Sequence, residues 1–149
     1  MSQSLSQIYL HIIFSTKDRM PHINEETKAH LWAYLAKVAN ELDHDAVEVG
    51  GVADHVHLLC HGSRTMTVSD FLKDLKISSS KWMKGQGGVS QFAWQRGYGA
   101  FSVSASNAAA VREYILGQEK HHQQQSFKDE YREFLRKHGV GWDEKYVWG

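Results

Sequence analysis

At 149 residues the chain can bury one good core but not two, so a single domain over residues 1–149 is expected. Its 42% hydrophobic and 23% charged residues exclude a disordered chain, and its single cysteine excludes a disulfide framework. No apolar run nears the roughly 18 residues of a membrane span, and MSQSLSQIYL lacks the basic and apolar regions of a signal peptide, so a soluble cytoplasmic protein without membrane contact is expected.

The formal charge of zero hides an uneven spread. Residues 1–63 hold 4 basic and 8 acidic groups, residues 64–100 hold 6 and 2, and residues 101–149 hold 7 of each. The middle of the chain is therefore basic. Ten histidines are poised to change charge near neutral pH.

In chain order, Ile8 to Ser15 alternates, with Ile8, Leu10, Ile12 and Phe14 on one side and Tyr9, His11, Ile13 and Ser15 on the other, which predicts a half-buried strand. Asn24 can cap a helix whose first turn carries Glu25 and Glu26 and whose apolar face is Leu31, Leu35, Val38, Ala39 and Leu42. Ala46 to Val49 and His55 to His61 read as a hairpin, with Gly50-Gly51 and Asp54 marking its turn. Thr67 and Asp70 form a capping pattern before a helix that buries Val68, Phe71, Leu72 and Leu75 and ends in the Gly85–Gly88 loop. A fourth strand is expected at Phe101 to Val103. A helix capped by Ser106 or Asn107 should run to about His122, and another from Phe127 to His138 stops at Gly139. The aromatic end, Trp142 to Trp148, should pack on the body. The first six elements follow the order of the split βαβ, ferredoxin-like (RRM-like) α+β fold: an antiparallel sheet with two helices on one face, followed by C-terminal helices.

Three groups of residues can carry chemistry. In His55-Val56-His57 the two imidazoles share one face of a strand, where they either hold a divalent ion or serve as hydrogen-bonded strand residues. Tyr114 and Gln118 lie one helical turn apart, offering a phenol and a neutral carbonyl oxygen beside an apolar stripe. That tyrosine is either a nucleophile or part of the core. Lys73, Lys76 and Lys84, with Arg64 and Arg96 nearby and Trp82, Trp94 and Tyr98 interleaved, suit single-stranded nucleic acid or make a solvated face. Taken together, a bound cation, a phenol and a basic surface are what phosphodiester cleavage through a covalent phosphotyrosine requires.

HIIFSTKDRMP, GGVADHVHLL, DFLKDLKISSSKWM, FAWQRGYGAFSVS and VREYILGQEKHH, in that order, resemble the small single-tyrosine transposases of IS200-type insertion sequences, in the HUH nuclease superfamily. The resemblance implies that His55, His57 and Gln118 bind Mg2+ or Mn2+ and that Tyr114 is the nucleophile. It implies cleavage and rejoining of single-stranded DNA at hairpin-bearing element ends through a 5′-phosphotyrosine link. It also implies a homodimer in which the tyrosine helix of one subunit can serve the histidine pair of the other, giving Gly117 a purpose as a hinge. The alternative within the same resemblance is a module that binds structured nucleic acid without cutting it.

Overall fold

The structure is a computed structural model describing residues 2–149. Its sheet is built around two central strands, β1 (Tyr9–Ser15) and β3 (His55–His61), which pair antiparallel with Ile13 opposite His57 and Ser15 opposite His55. β2 (Ala46–Val52) pairs with the free side of β3, and β4 (Gly99–Val103) with the free side of β1. The order β2-β3-β1-β4, all antiparallel, is the ferredoxin-like arrangement expected.

The pleat gives the two faces different jobs. Ile12, Phe14, Val56, Leu58 and Cys60 point to one face and form the main core with α1 (Glu25–Glu41) and α2 (Val68–Gly85). Burial of side chains such as Phe14, Leu31 and Phe71, each at most 1% exposed, contributes about 1.5–3 kcal/mol apiece before entropy is counted. Asn24 Oδ1 accepts from the Thr27 N–H at 2.9 Å and Thr67 Oγ from the Asp70 N–H at 3.1 Å, as their positions predict.

The opposite face carries His11, Ile13, His55 and His57. It is covered by α3 (Ala108–Leu116), α4 (Gln118–His121) and α5 (Phe127–Lys137). Ile13, Phe101, Phe127, Tyr131 and Leu135 form a second core there, against which Trp142, Val147 and Trp148 pack. The sheet is thus sandwiched, with helices on both faces.

With both faces covered, β1 is buried from His11 to Ser15 rather than half-buried as expected, and two glycine positions also differ. Gly50-Gly51 is not the hairpin turn; both residues lie inside β2, and the chain reverses at Ala53-Asp54. The reason is clearance for α3. A Cβ on Gly50 would sit 2.7 Å from the Ile115 carbonyl oxygen and 2.9 Å from its side chain. The helix expected to run to His122 is also broken, because α3 closes on Gly117, whose N–H bonds back to Glu113 and Tyr114, before α4 begins. A side chain at Gly117 would make only ordinary contacts, the nearest at 3.5 Å, so this glycine marks a break rather than a close approach.

Gly50→Ala should therefore push α3 off the sheet and cost about 1–3 kcal/mol, as overpacking does. Gly85→Ala, where the added methyl meets open space, should be neutral or slightly stabilising. Urea denaturation of the two variants checks the contrast.

Candidate active site

β3 delivers His55 and His57 to the covered face of the sheet, and both are fully buried. α3 places the Tyr114 ring 5.7 Å from the His57 ring, and α4 places Gln118 Oε1 3.1 Å from His55 Nε2. The four residues singled out for cleavage chemistry thus meet in one place within a single chain. What joins them is Glu130 of α5, a carboxylate only 1% exposed.

Its Oε1 lies 3.0 Å from His57 Nε2, 3.1 Å from His122 Nε2 and 3.5 Å from His55 Nε2. Its Oε2 accepts a short hydrogen bond from the Tyr114 hydroxyl and a longer one, 3.3 Å, from the Gln118 amide. His121 Nε2 stands 3.3 Å from the same oxygen. Behind His57, His11 Nε2 is 2.8 Å from His57 Nδ1, and beside His55, Asp54 Oδ1 is 2.7 Å from Nδ1.

The electrostatics follow from this crowding. Burial alone would favour a neutral Glu130 carboxyl, but the facing imidazoles of His122 and His57 outweigh it and hold its pKa well below the usual carboxylate range. Burial pushes His57 down to about 4 despite the carboxylate beside it, and burial with the neighbouring His57 pushes His11 down as well. Burial also opposes charge on His122, but Glu130 prevails there and its pKa is raised. Burial and the Glu130 charge push the Tyr114 phenol well above its ordinary value, so it sits protonated as a donor.

Sequence reasoning did not single out His11, His121, His122 or Glu130. A signal for Glu130 was present. Phe127, Glu130, Tyr131, Phe134 and Leu135 fall on one stripe of α5, so a carboxylate stands where the helix must be buried.

The basic residues lie elsewhere. Lys73, Lys76 and Lys84 are on α2, in the layer on the other side of the sheet, and do not converge on the histidine cluster. Lys73, Lys84, Arg64 and Arg96 are exposed. Lys76 is not a free cation: its ammonium donates to the carbonyls of Gln95, Arg96 and Gly97 at 2.9, 3.2 and 2.7 Å, and burial lowers its pKa to about 8.

Residues 4–118 match the family described as transposase IS200 like. The chain belongs to the IS200-like transposase family. It is 31% identical over 114 residues to the transposase for insertion sequence element IS200 of Salmonella typhimurium (strain LT2), a match covering 72% of this chain and 74% of that protein, and equally similar to the protein of that name from Salmonella typhi. Among solved structures it resembles a protein from Deinococcus radiodurans R1 described as a transposase, with a TM-score of 0.64, 25% identity and coverage of 79% of this chain and 98% of that one. The fold also resembles a REP-associated tyrosine transposase bound to a REP hairpin, with a TM-score of 0.59 at 13% identity over 82% of this chain and 74% of that one. The family match ends at Gln118, so His121, His122 and Glu130 fall outside the residues it covers. Among the described residues, no helix is long and apolar enough to cross a membrane.

The buried imidazoles should make the metal-free protein acid-sensitive. An unfolded chain takes up protons near pH 6.5 that folded His57 refuses until about pH 4, so stability falls as pH drops through that window. His57 alone accounts for roughly 2 kcal/mol of loss by pH 5, partly offset by His122, which titrates in the opposite sense. Urea midpoints at pH 7.5 and 5.0 in the presence of chelator should show the drop; an unchanged or higher midpoint at pH 5.0 contradicts it.

Proposed function

We propose that this transposase-family chain, acting as one unit over residues 1–149 in the cytoplasm, cleaves and rejoins single-stranded DNA at hairpin-bearing insertion-sequence ends. The single observation that carries the reading is the convergence of Tyr114, His55, His57 and Gln118 around one buried point. A phenol, two imidazoles and a carboxamide oxygen are the donor set for phosphodiester attack assisted by a divalent ion. The relative bound to a REP hairpin supports a structured nucleic acid as partner.

In this reading Tyr114 Oη attacks phosphorus, the P–O3′ bond breaks, and the products are a 5′-phosphotyrosine and a free 3′-hydroxyl. The Tyr114 hydroxyl already donates to Glu130 Oε2, which orients it and takes its proton as the bond to phosphorus forms, while the departing O3′ oxygen takes up a proton from solvent to leave as the hydroxyl. A divalent ion, Mg2+ or Mn2+, held by His55, His57 and Gln118 would neutralise charge on the phosphate oxygens. The strand reaches the phenol through the cleft on its solvent side, lined by Phe101, Val111, His121, Phe134 and the oppositely charged pair Glu133 and Lys137, where aromatic faces and one ammonium are available together. The exposed Lys73, Lys84, Arg64 and Arg96 then serve the outlying duplex of the hairpin rather than the scissile phosphate.

Incubation with manganese and single-stranded element ends should give a covalent protein–DNA adduct on a denaturing gel. Tyr114→Phe should abolish the adduct while leaving hairpin binding largely intact. An adduct formed by the phenylalanine variant excludes Tyr114 as the nucleophile, and hairpin binding with no adduct from the wild type favours a non-cutting module.

The proposed homodimer can be examined in the same assay. Tyr114 lies beside the histidine pair of its own chain, so neither subunit needs the other to complete the cluster described above. If the helix is exchanged during the reaction, mixing His57→Ala with Tyr114→Phe chains restores cleavage. If each subunit works alone, the mixture stays inactive.

A further inference from the structure

Three imidazoles turn Nε2 toward Glu130 Oε1, and each has its Nδ1 held by a partner. His55 Nδ1 is 2.7 Å from Asp54 Oδ1, His122 Nδ1 is 2.7 Å from the Gln125 carbonyl oxygen, and His57 Nδ1 is 2.8 Å from His11 Nε2. A carboxylate and a carbonyl can only accept, so His55 and His122 carry a proton on Nδ1. In its neutral form each ring then turns a bare Nε2 lone pair inward.

Those lone pairs face other lone pairs. His122 Nε2 is buried and makes no hydrogen bond, although Glu130 Oε1 is only 3.1 Å away. His55 Nε2 stands 3.1 Å from Gln118 Oε1 and 3.5 Å from Glu130 Oε1. One shared cation relieves every contact at once. Donors about 2.1 Å from a common ion stand about 3.0–3.5 Å apart in octahedral or tetrahedral shells. Glu130 Oε1 is 3.0, 3.1 and 3.5 Å from the three Nε2 atoms, and the four ligand atoms lie within 4.8 Å of one another, so the widest pair has to close slightly to meet the span of about 4.2 Å that opposite donors of one ion allow. Nδ1 groups held by a carboxylate, a carbonyl and a second imidazole are the outer partners that orient ligating histidines.

We propose that Glu130 and His122 are themselves ligands of the catalytic ion, making the centre a three-imidazole, one-carboxylate site for a first-row transition ion rather than for magnesium. Magnesium holds its waters and takes oxygen donors, whereas imidazole nitrogen favours the transition series. Both residues stand on the C-terminal helices or the turn between them, beyond residues 4–118 that match the family. The inference rests on the function proposed above for the ion having a catalytic role, and revises it by putting His122 and Glu130 in place of Gln118 as ligands and excluding magnesium as the ion.

The test is binding of Mn2+ to the full, chelator-treated chain, followed by loss of the free-ion electron paramagnetic resonance signal. One ion per chain should bind, and a hundredfold excess of Mg2+ should not release it. Glu130→Gln and His122→Ala should each weaken binding by at least about tenfold. Electron spin-echo modulation should count three imidazole nitrogens on the ion in the wild type and two in His122→Ala. Smaller losses of affinity in either variant, a wild-type count of two, or release by Mg2+ overturns the proposal. The wild-type count decides alone if a variant fails to fold, which circular dichroism reports. A Tyr114-dependent adduct alongside any of those contrary results removes this ligand set and leaves the proposed function standing; the expected ion binding with no adduct does the reverse.

Discussion

One buried carboxylate organises the second half of this molecule. Glu130 is removed from water beneath a sheet, and an ion so placed is tolerated only when its oxygens are fully compensated. Compensation comes from three directions: β3 through His57, α3 through Tyr114 and α4 through Gln118. Because α5 carries the carboxylate, docking of the last helix and assembly of the cluster are the same event. Phe127, Tyr131 and Leu135 supply the apolar part of that docking from the same stripe.

The sheet acts as a partition. Alternation along β1 and β3 sends Ile12, Phe14, Val56 and Leu58 into the main core and His11, His55 and His57 to the other side, so stability and chemistry are separated by one pleat. Gly50 extends the same logic to β2, where the missing side chain lets α3 approach closely enough to bring Tyr114 over His57. The exposed cations lie mainly on or beside the α2 layer, away from the cluster, and Lys76 is held by three carbonyls of the 95–97 segment. A nucleic acid touching both regions must pass around the edge of the sheet.

Much of this was legible from the chain alone. The order of strands and helices, the caps at Asn24 and Thr67, and the shared face of His55 and His57 depend on short-range rules: a period of two in strands, 3.6 in helices, and a side-chain oxygen for orphan amides. The misread positions were those where distant packing overrides local preference. Gly50-Gly51 looks like a turn because glycine usually marks one, and only the presence of α3 across β2 explains it as strand. The break at Gly117 is a local choice between continuing a helix and ending it, decided by where α4 must bring Gln118.

What the sequence by itself determined is the family, the ferredoxin-like fold and the shared strand face of His55 and His57, which a period of two fixes; Tyr114 and Gln118 are close in the chain but stand on two helices parted at Gly117. What the tertiary structure alone decided is that these pairs meet, and that His11, His122 and Glu130 join them. No local period relates a residue of β1 to one of β3 or α5. Those distances arise when two apolar surfaces close on each other, and the buried charge at the join then selects which polar groups must face it.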